Sequence, residues 1–232
     1  MNPIAPIIIY AYRLTDDTGC APCIFDLNGK HTGVLTLACC KGGRINNEGK
    51  ANEKEIFTGL RHSIGKDYKD AIKHGKTIVY LLGIYKNKLL YFAQVTEVIT
   101  MAEYFAPNSK YRNRLDCIYD WLNDKFSRND NNPKFHPKND TGRHRRDWLG
   151  NYVLISNLFA YFGKKSSAIP QNLLAILPKG QDCKNYAGDS SEGKLIMDEV
   201  SKVWNFHDII QNEPHEHIQN CGSNKCNKNS PV

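Results

Sequence analysis

No run in this sequence reaches the roughly 18–20 consecutive apolar residues that a membrane-spanning helix requires, so no span is expected. The opening, MNPIAPIIIYAYR, has no positive charge ahead of its short apolar run, and no secretory leader is read there. A cytoplasmic location is the expectation. The eight cysteines lack the pattern of a small secreted scaffold, and two of them, Cys39 and Cys40, are adjacent, which suits an ordinary disulfide framework badly. Reduced thiols are expected. Strand–helix alternation is also missing, which disfavours a doubly wound fold. No internal repeat is present, and no helix-turn-helix, zinc-finger or aromatic-rich strand signature points to readout of a long duplex site.

Basic residues, in contrast, are in excess: 31 Lys and Arg against 24 Asp and Glu give a net charge of +7. That balance favours polyanionic partners. A chain of 232 residues suffices for one sizeable core, and the expected division is a single domain over 1–207 with a polar tail over 208–232.

Along the chain, IIIYAYR reads as a strand buried on both faces and the Gly- and Asp-rich segment after it as loop. VLTLACC follows as a strand with Leu35, Leu37 and Cys39 on one face and Val34, Thr36, Ala38 and Cys40 on the other. Residues 41–76 read as a surface excursion, with KGGRINNEGKANEKE mobile and only short helical turns beyond it. TIVYLLGIY and KLLYFAQVTEV form a hairpin across Lys86-Asn87, and Thr100 to Glu103 fits a capping box opening a short helix. CIYDWLNDKF suits a helical turn or two. SRNDNNPKFHPKNDTGRHRRDWLGN reads as a long polar loop, a kind of segment that is usually functional or disordered. YVLISNLFAYFG is a strand running into a turn near Ser156-Asn157, LLAILPKG a further apolar segment, and SEGKLIMDEVSKVWNF a closing helix with Ile196, Val200, Val203 and Trp204 at helical spacing. The expected class is α+β: a mostly antiparallel, curved or barrel-like sheet with a few short helices.

Four stretches in this order, YAYRLTDDTGCAPCIF, TLACCK, GKTIVYLLG with LLYFAQVTEVITMAEYF, and YVLISNLFAYFGKKSSAIP, resemble the second class of nucleotide-modification-associated domains over roughly residues 8–187. The resemblance implies a link to systems, bacterial or phage, that modify bases in DNA or act on modified nucleotides. The chain departs from that pattern at Gly42, where proline is usual, and at Thr77-Ile78, where Asp-Trp is usual. The strand pattern is also similar to barrel domains of the pseudouridine-synthase-associated (PUA) type, which hold a single base in a cleft, by analogy of fold alone.

The expected site lies at Cys39-Cys40-Lys41. Only one of the two cysteines can face a pocket, where it is a candidate nucleophile or ligand contact, against the plainer reading of buried core thiols; Glu97 is a candidate general base or base-edge contact, against a solvated strand end. Lys41 and the Gly42-Gly43 amides suit a phosphate. Tyr10, Tyr12, Tyr91, Phe159 and Tyr161 are candidates to stack on a base, and Ser156 and Asn157 to bond its edge. Arg143, His144, Arg145 and Arg146, with Lys134, His136 and Lys138 before them, form the best candidate phosphate patch. Cys20-Ala-Pro-Cys23 and the tail set His215, His217, Cys221 and Cys226 have partial metal-ligand spacing, but no metal site is assigned, and the sequence leaves any cofactor open. A nucleotide or DNA is the expected partner, a membrane is not. Binding of a nucleotide or base is the leading reading; modification of one through the cysteine and lysine, and a non-catalytic interaction subunit of a modification or anti-phage system, are the alternatives.

Overall fold

The structure is a computed structural model and describes residues 5–46, 54–56 and 59–216. Its first strand, β1 (Ile7–Arg13), is β-branched and aromatic, as a strand covered on both faces requires. Short β2 (Cys23–Phe25) and β3 (His31–Leu37) follow, then β4 (Arg44–Asn46) and β5 (Lys54–Ile56), a small antiparallel pair. Helix α1 (Leu60–Lys73) occupies the segment expected to hold only short turns. Its apolar residues Leu60, Ile64, Tyr68 and Ile72 recur every fourth position, a stripe narrow enough to escape notice.

β6 (Ile78–Tyr85) and β7 (Lys88–Val95) form the expected hairpin, with Lys86 and Asn87 both at positive φ, 47° and 59°. Two successive left-handed residues match the twist of the flanking strands. β8 (Glu97–Thr100) leads into α2 (Met101–Phe105), where the capping box forms as read: Glu103 N–H donates to Thr100 Oγ1 and Thr100 N–H to Glu103 Oε2.

The next segment departs from expectation. Instead of helical turns, β9 (Tyr119–Leu122) and β10 (Lys125–Arg128) form a hairpin through Asn123 and Asp124, again both left-handed. The long polar loop is also partly helical, as α3 (Thr141–Trp148) starts at Asp140, whose carboxylate accepts the Arg143 N–H at 3.0 Å. β11 (Tyr152–Ser156) and β12 (Leu158–Tyr161) flank the predicted turn. α4 (Gln171–Ile176), β13 (Cys183–Ala187) and α5 (Ser191–Ser201) complete the body. α5 buries Ile196 and Val200, and Trp204 is buried just beyond it, whereas Val203 is 41% exposed because the helix has ended two residues earlier.

Beyond Asp208, where a polar tail was expected, β14 (Ile210–Gln211) pairs with β12. His215 then bonds the buried Asp17 through both its backbone N–H and its ring Nδ1, at 2.8 and 2.7 Å.

Two open sheets result. The larger runs β13-β1-β6-β7-β12-β14 and is mixed, with parallel β1–β6 and β12–β14 pairs; the smaller runs β2-β3-β11-β8 and is antiparallel throughout. Neither closes, so the α+β class holds but the barrel is replaced by two sheets. Tyr10, Tyr12, Leu81, Tyr91 and Phe159 of the larger sheet meet Leu35, Leu37, Val98 and Leu154 of the smaller in one apolar cluster. The larger sheet's other face packs under α4 and α5 through Ile9, Leu82 and Phe92. A third cluster joins Val153 and Ile155 of the smaller sheet to α2 and the β9 hairpin. Cys39 lies in this third cluster rather than with Leu35 and Leu37, because β3 ends at Leu37 and the alternation of faces stops there.

Candidate active site

Immediately after β3 the backbone turns left-handed at two consecutive non-glycine residues, Cys40 (φ 61°) and Lys41 (φ 50°). Such conformations persist only where the surroundings impose them. Here Asp147 Oδ1 accepts the Cys40 N–H at 2.6 Å, Arg61 Nε donates to the Cys40 carbonyl at 2.6 Å, and the Arg61 N–H donates to the Lys41 carbonyl at 3.2 Å. Gly42 lets α3 close directly over this turn, since a Cβ there would stand 2.2 Å from the Arg146 carbonyl oxygen.

The Cys40 side chain is half-buried, and its Sγ lies 3.4 Å from His136 Nε2. His136 Nδ1 is in turn 2.7 Å from Asp147 Oδ2, with His136 4% and Asp147 1% exposed. A carboxylate can only accept, so the shared proton fixes Nδ1 as the donor. Tyr119 donates its hydroxyl to the same Asp147 oxygen at 2.8 Å, and His144 Nδ1 meets that hydroxyl at 3.1 Å. Burial raises the Tyr119 pKa, as does the neighbouring Asp147 charge, so the phenol stays a donor.

Burial alone would lower the His136 pKa and raise that of Asp147. Their mutual hydrogen bond outweighs it: with Cys40 contributing, His136 is raised to about 9, and with Arg61 and Tyr119 contributing, Asp147 is held below the usual carboxylate range.

Two arginines build this site from outside the chemistry. Arg61, fully buried, donates to the carbonyls of Cys40, Tyr152 and Asp147, so one planar guanidinium ties β3's end, β11's start and α3 together. Arg128 does the same for the histidine loop, donating to the carbonyls of Ile118, Asn129, Asn132, Phe135 and His136. Phe135 stacks on the His136 ring at 4.1 Å between centroids.

The remaining sequence candidates are distributed as follows. Cys39 is fully buried, donates to the Asp116 carbonyl, and has its pKa pushed up by burial. Glu97 sits on β8 with Tyr111 and Lys110 as its partners. Lys41 Nζ lies over the Tyr12 ring and donates to the Arg13 carbonyl; burial lowers its pKa. Tyr10, Tyr12, Tyr91, Phe159 and Tyr161 all lie in the cluster between the sheets, where no base can reach them without opening it. Ser156 Oγ is turned onto the Leu158 carbonyl, and Asn157 is exposed at the strand junction. Arg143 and Arg146 are exposed on α3 and Arg145 is half-buried, while His144 is buried with Nε2 on the Pro137 carbonyl.

Asp147, Arg61 and Tyr119 were not singled out from the sequence, and His136 was read only within the basic patch. A cysteine with a histidine and an aspartate distant in sequence is the pattern that could have signalled them.

Cys40, His136 and Asp147 each offer a metal-ligating atom within 4.8 Å of the others. Asp147 and His136 Nδ1 are bonded to each other, however, which leaves only Cys40 Sγ and His136 Nε2 to converge on an ion. Two ligands fall short of the three or four that a resident ion takes. Cys20 and Cys23 are buried apart from this group, with thiols pushed up by burial, Cys23 to about 12. His217, Cys221 and Cys226 lie outside the described residues.

Fold and site define an α+β protein in which an aspartate-oriented histidine faces a cysteine on a strained turn. The chain belongs to the nucleotide modification associated domain 2 family, whose model matches residues 6–220. No curated protein and no solved structure matches it significantly. Among the described residues, no helix is long and apolar enough to cross a membrane.

Proposed function

We propose that the chain is a thiol-dependent enzyme that attacks an electrophilic carbon of a nucleotide or nucleic-acid base. Cys40 is the nucleophile, His136 the proton carrier and Asp147 the group that orients the imidazole. The observation that carries this reading is the continuous Cys40–His136–Asp147 chain at 3.4 and 2.7 Å, the arrangement that nucleophilic catalysis by a thiol needs.

As the Sγ–carbon bond forms, the proton shared between Cys40 Sγ and His136 Nε2 rests on Nε2, so the imidazolium faces the attacking sulfur and then gives that proton to the departing or accepting atom of the substrate. Negative charge developing on a substrate oxygen would meet the Lys41 N–H, the amide following the nucleophile, which makes no hydrogen bond among the described residues. Membership of a family associated with nucleotide modification supports a nucleotide or nucleic-acid base as the substrate; the proposed setting is modification of DNA or nucleotides in a bacterium or phage, including anti-phage defence.

Binding of a nucleotide without reaction is the weaker reading, since the aromatic residues read as its stacking surface are core. A role as interaction subunit has no observation in its favour.

Incubation of the protein with unmodified DNA, hypermodified phage DNA and mixed nucleotides, followed by intact-protein and nucleoside mass spectrometry, tests the proposal. A mass adduct on Cys40, or a changed nucleoside, absent with Cys40→Ser and His136→Gln, is the expected result. An unchanged nucleoside pool and an unmodified Cys40 in every arm overturn it.

A further inference from the structure

We infer that this site acts on a nucleic-acid strand rather than a free nucleotide, gripped by the outer face of the segment that carries His136 and Asp147. The inference rests on the enzyme reading for its chemistry but not for its measurement.

Between residues 134 and 147 the chain holds five Lys or Arg and two Asp. The structure sorts them by direction. His136, His144 and Asp147 are buried in the hydrogen-bonded network, while Lys134, Lys138, Arg143 and Arg146 are exposed. The negative charge of Asp147 is committed to His136 and Tyr119. That of Asp140 caps α3 and pairs with Arg143 at 3.1 Å, and Lys138 pairs with Asp130. Both are exposed pairs of the kind worth at most about 1 kcal/mol, so a phosphate can replace the carboxylate. Arg146 Nε donates to the Gly142 carbonyl, which carries no net charge.

Arg143 and Arg146 are three apart and share a face of α3. That helix spans about 12 Å for its eight residues, and its last turn is packed on the Cys40–Gly42 turn. A cationic strip therefore runs up to the nucleophile. The phosphate group of a mononucleotide engages one end of such a strip; successive phosphates of a strand engage its length. With the candidate stacking aromatics buried, the grip is electrostatic, indifferent to sequence and strongly dependent on salt.

Fluorescence anisotropy of the full chain carrying Cys40→Ser, which cannot turn over, with a labelled 12-residue single strand, its duplex and a labelled mononucleotide from 50 to 300 mM KCl separates the cases. The expected result is tighter binding of the strand than of the mononucleotide. The log–log salt slope should be about −2 to −3 for the single strand, and Arg143→Ala with Arg146→Ala should make it shallower by about 1.4, at roughly 0.7 per lost phosphate contact. Lys194→Ala, on the far helix α5, should leave it unchanged. Equal affinity for strand and mononucleotide, or a slope that the double variant does not alter, overturns the inference. Strand binding without any Cys40-dependent product sinks the enzyme reading alone, whereas a Cys40 adduct from a free nucleotide with no strand binding sinks this inference alone.

Discussion

Asp147 holds the backbone N–H of Cys40 through one carboxylate oxygen, at 2.6 Å, while its other oxygen receives the His136 ring. The group that orients the histidine thus also fixes the turn on which the thiol sits. Replacing it with asparagine separates the two tasks. In Asp147→Asn the amide oxygen can still accept from Cys40, but the amide nitrogen cannot accept from His136 Nδ1. The fold should survive, and alkylation of Cys40 by iodoacetamide, read by peptide mass spectrometry, should slow by about 10²-fold, as loss of a positioned base predicts. An unchanged alkylation rate would remove Asp147 from the chemistry.

Arg61 supports the site by a different route. Arg61→Ala leaves the carbonyls of Cys40, Tyr152 and Asp147 buried without their donor. At about 1–3 kcal/mol for each unsatisfied buried group, urea denaturation should show a loss of roughly 3 kcal/mol or more. Arg61→Lys restores charge but not the planar fork, and should recover part of that stability while Cys40 alkylation stays slow.

The His136–Asp147 pair makes stability depend on pH. A histidine whose folded pKa is raised from 6.5 to about 9 binds its proton more tightly in the native state, so its contribution is complete below about pH 6.5 and is lost as pH rises toward 9. Between pH 6.5 and 8.5 the wild-type unfolding free energy should fall by about 1 kcal/mol per pH unit. His136→Gln should flatten that slope; an equal slope in both proteins would show that the imidazole is not held as a cation.

The C-terminal segment contributes stability that its composition hides. Asp17 is buried and accepts from Tyr161 and from both the backbone and ring of His215. Truncation after His207 strips β14 from the larger sheet and removes both hydrogen bonds that His215 gives the Asp17 carboxylate, leaving it the one from Tyr161. A loss of about 1–3 kcal/mol in urea denaturation is expected, and a truncated chain as stable as the full one would assign the segment no structural role.

Much of the fold was legible where local rules act alone. The Lys86-Asn87 turn and the Thr100–Glu103 capping box are properties of a few adjacent residues, and both stand as read. The β9–β10 hairpin was missed because Ile118, Trp121, Leu122 and Phe126 stand at helical spacing, and only the left-handed Asn123-Asp124 pair decides for a hairpin. Helix α1 was missed for its polarity: much of what it buries is Arg61, which sequence patterning counts as surface. Of the site itself, Cys40 stood out by its neighbour and its turn. His136 and Asp147 did not, because what distinguishes them from the polar residues around them is burial, and burial is imposed by Arg128 and Arg61 from elsewhere in the chain.

Those two arginines bind main-chain oxygen, and every residue type supplies the same oxygen. The positions that present carbonyls to Arg61 and Arg128 are therefore free to drift in identity so long as the backbone path is kept, whereas the guanidinium has no substitute. A relative of this protein could share little side-chain chemistry around its thiol and still hold the same turn, recognisable by two arginines and the three residues they set in line.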